Sequence, residues 1–192
     1  MSTTKPRLIG LSGSLRKGSF NTAILKTLAS SIADRAELVV FPLNDVPLYD
    51  GDIDTDPAPA GVAALRQAIA EADGVIIGTP EYNYGISGVL KNALDWASRP
   101  YGKSCLTAKP VLTFSSSPAF TGGARAQAQL NETLTAIAAQ LVLRPQTVIA
   151  AAHEKVKDNA LTDETTLNYL QAGVDDLLRN IERNAAVIRQ ET

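Results

Sequence analysis

Apolar positions along this chain follow two alternating periods. Leu8-Ile9-Gly10-Leu11 is a short continuous apolar run, the mark of a strand buried on both faces. Phe20, Ile24, Leu28 and Ile32 then recur every fourth residue and predict a helix. Leu38-Val39-Val40-Phe41 reads as a second strand ended by Pro42, and Val62, Leu65 and Ile69 mark a second helix. Val75-Ile76-Ile77 is a third strand, stopped by Pro80. A third helix carries Ile86, Val89, Leu90, Ala93 and Trp96, and Val111 to Phe114 is a fourth strand. Ala124 to Ala139 reads as helix, and Val142 to Ile149 as a fifth strand in which Pro145 indicates an edge position or a bulge. Leu167, Leu170, Val174, Leu177, Ile181 and Ile188 form a last helical stripe, with Asp163 and Glu164 near its start, where the helix dipole favours acids.

Strands alternating with helices imply a parallel sheet covered on both faces. Right-handed crossovers leave few topologies, and order 2-1-3-4-5 suits five strand–helix units. Its switch point lies between strands 1 and 3, and ligands bind at such points beyond the strand C-terminal ends. The two loops there, Ser12 to Asn21 and Pro80 to Gly85, are also the two that look unlike ordinary turns. No internal repeat or linker interrupts the pattern, so residues 1–192 are expected to form one domain. Asn44 to Pro59 is long, acidic and Pro-rich; it reads as a solvated loop, with a flap over a site as the alternative.

Composition narrows the classes. The chain is 45 % hydrophobic with a formal charge of −2, which leaves no basic footprint for nucleic acid. No apolar run reaches the roughly 18 residues of a membrane helix. MSTTKPR runs directly into the first strand, so no leader is expected. A lone Cys105 excludes an internal disulfide and suits a reducing cytoplasm, and one His with one Cys argues against a zinc site. Cys105 reads as a small packing residue, His153 as a surface or loop histidine, and Trp96 with Asp95 as either core or subunit contact.

The first loop is Ser/Gly-rich, holds one arginine and opens a helix. Such a turn suits a phosphate, because small residues let backbone N–H groups converge and the helix N-terminus adds partial positive charge. It is not a nucleoside-triphosphate loop: Gly13 and Gly18 have that spacing, but Ser19 stands where Lys must reach the outer phosphates. Gly10-Leu11-Ser12-Gly13-Ser14 approaches a nucleophile elbow, with Ser14 replacing the last glycine; Ser12 has no better support as a nucleophile than as a phosphate ligand. A dinucleotide fingerprint would need an acid at the tip of strand 2, which instead ends Val40-Phe41-Pro42-Leu43. Ser12, Ser14, Ser19, Asn21 and Thr22 can donate to phosphate oxygens, and Arg16 can do so bidentately. For Ser19 alone, a helix N-cap is the plainer reading. In the second loop, Pro80, Glu81, Tyr82, Asn83 and Tyr84 place two aromatics and an amide over the sheet edge, a wall suited to a planar ring.

GSLRKGSFNT and GTPEYNYGISGVLKNALDWASRP together resemble the NADPH-dependent FMN reductases, a family that includes flavodoxin-like quinone, azo-dye and chromate reductases. The resemblance implies a flavodoxin-like three-layer α/β sandwich with a five-stranded parallel sheet and non-covalent FMN. By motif position, Ser12, Ser14, Arg16, Ser19, Asn21 and Thr22 would hold the phosphate and ribityl end, and Pro80 through Tyr84 the isoalloxazine. A third contact would come from Ser115 and Ser116 in the loop after strand 4. Hydride would pass from NADPH or NADH through FMN to small-molecule electron acceptors: quinones, azo compounds, chromate or free flavin. The flavin carries the chemistry, which accounts for the absence of an evident catalytic side chain. The resemblance also implies a homodimer or homotetramer, with Arg99 and Tyr101 in reach of a partner; composition adds the expectation of a cytoplasmic protein with no nucleic-acid or membrane partner. A flavodoxin-type electron carrier or a non-catalytic FMN-binding protein is the alternative; strong acidity typical of carriers is missing here.

Overall fold

The computed structural model describes residues 5–191, with side chains from 5 to 187; Met1 to Thr4 and the Ile188 side chain of the last predicted stripe lie outside the described residues. The elements run β1 (Arg7–Ser12), α1 (Phe20–Ser31), β2 (Glu37–Phe41), α2 (Ala60–Glu71), β3 (Gly74–Thr79), α3 (Gly88–Ala97), β4 (Pro110–Ser116), α4 (Ala124–Ala136), β5 (Gln140–Leu141), β6 (Val148–Ile149), α5 (Ala152–Lys155), β7 (Val156–Lys157), β8 (Ala160–Leu161) and α6 (Glu164–Glu191). The sheet is parallel in the order β2-β1-β3-β4-β5, a flavodoxin-like arrangement.

The period of two along each strand explains the three layers. Ile76, Leu112 and Phe114 point to one face, where they meet Ile24 and Leu28 of α1 and Val174 of α6. Their neighbours Val75, Ile77 and Val111 point to the other, against Leu65 of α2, Leu90 of α3 and Leu134 of α4. Both faces of the central strands are thus apolar, as parallel strands flanked by helices require. Asp163 accepts from the Thr166 N–H at 3.0 Å and so caps α6, in keeping with the acids expected there.

The fifth strand departs from expectation. Val142 to Ile149 is not one strand: β5 pairs with the start of β4 (Val111 beside Leu141) and β6 with its end (Ser115 beside Val148). Between them β4 runs straight through 112–114 while the outer chain loops out through 142–147. Pro145 sits in that excursion and has no N–H to offer the ladder, the bulge that its position indicated. The fourth helix also stops early, at Ala136, because Ala138 turns left-handed (φ 59°) to enter β5. The α5 turn and the β7-β8 hairpin carry no periodic signal and are additions to the pattern.

Asn44 to Pro59 is largely exposed, as a solvated loop, yet it is tied to two helices. Its first half is strapped to α3: Asn92 donates to the Pro47 carbonyl and accepts from the Tyr49 N–H, and the Trp96 indole N–H also donates to Pro47, at 2.8 Å. Its second half is tied to α2 by the Arg66–Asp54 ion pair at 2.9 Å. Trp96 is thereby a buried core residue, edge-on to Tyr49, while Asp95 pairs with Lys91 on the surface. Half-buried Cys105 donates weakly to the Ala97 carbonyl, and burial raises its thiol pKa, so it packs rather than reacts. His153 lies exposed on α5. Among the described residues no helix is long and apolar enough to cross a membrane.

Candidate functional site

Three chain segments meet where β1, β3 and β4 end. The first is the β1–α1 loop. Ser19 is the N-cap of α1, in extended conformation, and its hydroxyl accepts from the Thr22 N–H at 3.2 Å. That is the plain structural role open to Ser19, but it does not stand alone. The Thr22 hydroxyl donates to Ser12 Oγ at 2.8 Å, and Ser12 in turn lies 3.5 Å from Ser19 Oγ. The Arg16 N–H donates to Ser14 Oγ at 3.4 Å. Four hydroxyls and the first amides of a twelve-residue helix therefore converge in one small volume, with the Arg16 guanidinium exposed at its mouth.

Asn21 is different. It is buried, and its Oδ1 accepts from the Ser116 hydroxyl at the tip of β4, at 2.9 Å. This bond ties the first loop to the third segment across the intervening β3. Ser115, one residue earlier, is fully buried and its hydroxyl has no partner. A buried hydroxyl left unsatisfied costs about 1–3 kcal/mol, so it marks a place that expects a ligand or water. Beyond β4 the chain turns through Gly122 (φ 59°) and Gly123 (φ 90°) into α4; a Cβ at Gly123 would stand 3.0 Å from the Ser115 Cβ. Glycine there lets the start of α4 pack closely on Ser115 in a left-handed conformation.

The second segment is the β3–α3 loop. It makes a two-residue hairpin: Tyr82 and Gly85 exchange both backbone hydrogen bonds at 3.0 Å, with Asn83 (φ 50°) and Tyr84 (φ 70°) at its corner. Both corner residues are left-handed, as a tight primed turn requires. Asn tolerates this conformation; a tyrosine there is strained by about 1–3 kcal/mol. Helix α4 holds the strained turn. The Glu81 carboxylate, only 7 % exposed, accepts from the Arg125 N–H (3.1 Å), the Ala126 N–H (3.3 Å) and Arg125 Nε (2.7 Å). Arg125 then lies flat on the Tyr84 ring, its Cζ 3.8 Å from the centroid, and Gln129 accepts from the Ile86 N–H at 2.8 Å. Burial pushes the Glu81 pKa up, but the Arg125 and Ala126 hydrogen bonds and the Arg125 charge outweigh it and leave the value lowered. The Tyr82 and Tyr84 rings stay largely exposed, 50 % and 70 %.

The first and second segments touch. The Gly13 N–H donates to the Gly78 carbonyl at 2.8 Å, and a Cβ on Gly13 would come within 2.9 Å of Pro80 Cδ and 3.1 Å of Ser87 Oγ. Hence the structure brings Ser12, Ser14, Arg16, Ser19, Asn21 and Thr22 beside Pro80 through Tyr84, with Ser115 and Ser116 completing the rim. Arg125 and Gln129, which fix the second loop, carried no signal in the sequence, since nothing local to α4 points back to residue 81.

The sequence pattern of NADPH-dependent FMN reductases matches residues 6–154, which span both loops and the β4 tip. The chain belongs to the NADPH-dependent FMN reductase family. Within it, the quinone reductase of Escherichia coli K12 is 41 % identical over 170 residues, covering 86 % of this chain and 90 % of that protein. A 2-hydroxy-1,4-benzoquinone reductase from a Burkholderia species is 38 % identical over 164 residues, covering 85 % and 89 %. Among solved structures, the flavoenzyme NAD(P)H:(acceptor) oxidoreductase FerB from Paracoccus denitrificans superposes with a TM-score of 0.84 at 35 % identity, over 93 % of this chain and 98 % of that one. The donor set here fits the FMN of this reductase family: hydroxyls and a guanidinium that line one cavity at a helix N-terminus, for a phosphate, and an unsatisfied buried hydroxyl at Ser115.

Proposed function

We propose that the chain is an FMN-dependent NAD(P)H oxidoreductase that reduces quinones and, more broadly, small oxidants such as azo compounds, chromate or free flavin. The observation that carries this reading is the close approach of the first two segments, where the Gly13 N–H donates to the Gly78 carbonyl and a Cβ on Gly13 would crowd Pro80, so that the anion-binding loop and the aromatic loop stand edge to edge at the switch point. Bound FMN would supply the two-electron chemistry, taking hydride from the nicotinamide and passing it on.

The chain's own groups have separable tasks. Ser12, Ser14, Arg16, Ser19 and Thr22 hold the phosphate and ribityl end. Asn21 joins them with its amide N–H groups, while its carbonyl oxygen ties the loop to Ser116. Pro80, Tyr82, Asn83 and Tyr84 border the isoalloxazine; Glu81 does so only through its backbone, because its carboxylate is committed to α4. Ser115 offers its free hydroxyl to the same ligand. Exposed Tyr82 and Tyr84 leave an open aromatic mouth for nicotinamide and acceptor in turn.

The assembly is a homodimer or homotetramer, a reading supported by the nearly fully exposed rings of Tyr101 and Phe120. Residues 1–192 act as one FMN-binding domain in the cytoplasm. The test is direct. The purified protein should be yellow, and anaerobic NADPH should bleach its absorbance in proportion to FMN. Steady-state assays should then show a quinone oxidising NADPH. Flavin that is bound but not bleached would refute the reductase and favour a carrier; a protein that takes no FMN at micromolar concentration would refute both.

A further inference from the structure

The split of the outer strand into β5 and β6 leaves a cavity of about 160 Å³ beside the middle of β4. Thr113 of β4, Gln127 of α4 and Arg144 of the 142–147 excursion give it a polar side, and Leu112, Leu141 and Val142 an apolar one. No carboxylate lines it. None of its lining residues belongs to the three segments assigned to FMN.

The polar groups around it are committed in a fixed order. The Thr113 hydroxyl donates to Asn131 Oδ1 at 2.8 Å and accepts from Gln127 Nε2 at 3.2 Å. Gln127 Nε2 also donates to the Thr113 carbonyl, at 3.1 Å. A carbonyl only accepts, so the Gln127 amide cannot be turned over, and its Oε1 is left as an acceptor. Gln127 is 2 % exposed and this oxygen has no partner. Arg144 gives Nη1 to Asp176 at 3.3 Å and Nη2 to the Tyr169 carbonyl at 3.2 Å. Its side chain is 10 % exposed, and its Nε, which can only donate, has no partner. Two residues facing one cavity therefore keep a buried open acceptor and a buried open donor, a pairing that native interiors rarely leave unfilled.

Water alone answers this poorly. At about 30 Å³ each, roughly five waters would fill the volume, and each needs two to four polar partners. With Leu112, Leu141 and Val142 in the wall, most of the five would find few. One organic molecule with its polar end between Gln127 and Arg144 and its carbon body on the aliphatic wall satisfies both open atoms. Charge narrows its class. Arg144 repels a cation. A carboxylate could accept from Nε but has no proton for Gln127 Oε1, and Asp176 already pairs with the guanidinium. An uncharged group with an N–H beside a C=O meets both demands.

We propose that this cavity binds a small uncharged amide, lactam or ureide, whose carbonyl accepts from Arg144 Nε and whose N–H donates to Gln127 Oε1. The probes are acetamide and acetone, which share a shape and differ in that acetone has no N–H. Each is titrated into the isotope-labelled, FMN-loaded full chain while nuclear magnetic resonance follows the Gln127 side-chain amide and the Arg144 Nε–H. Acetamide should shift both signals with a dissociation constant in the millimolar range, and acetone should bind at least about tenfold more weakly. Arg144→Lys keeps a charge for Asp176 and removes Nε; it should weaken acetamide about tenfold and leave FMN affinity unchanged. The comparison of acetamide with acetone in the parent protein needs no variant to fold. Equal affinity for the two probes there, or no saturable shift of either signal, would overturn the proposal and leave the gap to water. Acetamide bound as tightly by Arg144→Lys as by the parent would overturn it too, by placing the amide elsewhere. None of these results bears on the reductase reading, which the bleaching of bound flavin decides.

Discussion

At the scale of single residues, Arg16 has the sharpest expected effect. It is the one guanidinium at the mouth of the hydroxyl cluster, and it makes no bond to another side chain that its removal would break. Its loss should therefore act on the ligand and not on the fold. A hydrogen bond to a charged group contributes about 1.5–3 kcal/mol, so Arg16→Ala should weaken FMN by roughly ten- to 150-fold with an unchanged melting temperature of the apoprotein. Fluorescence titration of free FMN reads this, and an unchanged dissociation constant would take Arg16 out of the site. The hydroxyl cluster was legible in the sequence because a phosphate cradle needs small hydroxyl residues in one continuous stretch. Residues whose partner lies far along the chain were not. The bond from Ser116 to Asn21 spans the sheet, and Glu81 is bound to a helix forty residues downstream. In both cases the side chain, placed by its motif at the candidate site, also forms a tie between segments.

At the scale of elements, the β3–α3 hairpin and α4 form one unit. The hairpin alone would be unfavourable, with Tyr84 in a left-handed conformation. Helix α4 alone would begin at Gly123 with no side-chain cap, leaving its first amides unsatisfied. Glu81 resolves both: its carboxylate takes the Arg125 and Ala126 amides, and Arg125 settles on Tyr84. The sign of the pH dependence follows. Glu81 has a lowered pKa in the folded state, so its contribution is complete above the ordinary value of 4.5 and is lost as the pH falls below that through the lowered value. Glu81→Gln should destabilise by about 1–2 kcal/mol at pH 7, the low end for charged hydrogen bonds because Arg125 is half-exposed. Urea unfolding of both proteins at pH 7 and at pH 3.5–4 should show the gap narrowing in acid; a gap independent of pH would assign the loss to shape and not to charge. At the same scale, the fifth strand is split into β5 and β6, which its sequence does not state. An apolar run with β-branched residues reports burial, but nothing in Val142 to Ile149 states that only its last residues regain register with β4.

For the whole molecule, the three segments at the sheet's end are coupled by few direct bonds: Gly13 to Gly78, Asn21 to Ser116, Glu81 to α4. These segments carry an unpartnered buried hydroxyl, unpaired cations and a strained turn. Each of these features raises the free energy of the empty site relative to a filled one, while the layers beneath are close-packed without regard to the ligand. Folding should therefore not require FMN, yet FMN should raise stability by the full linkage amount. With ligand at 100 times its dissociation constant, that is about 2.7 kcal/mol. For a domain of this size each kcal/mol shifts the midpoint by about 2–4 °C, so the melting temperature should rise by roughly 5–11 °C and follow the logarithm of the FMN concentration. Riboflavin, which lacks the phosphate, engages only the aromatic loop and should produce a smaller rise. The Arg16→Ala protein should show the two flavins acting more nearly alike. Differential scanning fluorimetry of the apoprotein with each flavin measures all of this. Equal shifts from FMN and riboflavin in the parent protein would mean that the hydroxyl loop, for all its converging donors, contributes nothing to holding the cofactor.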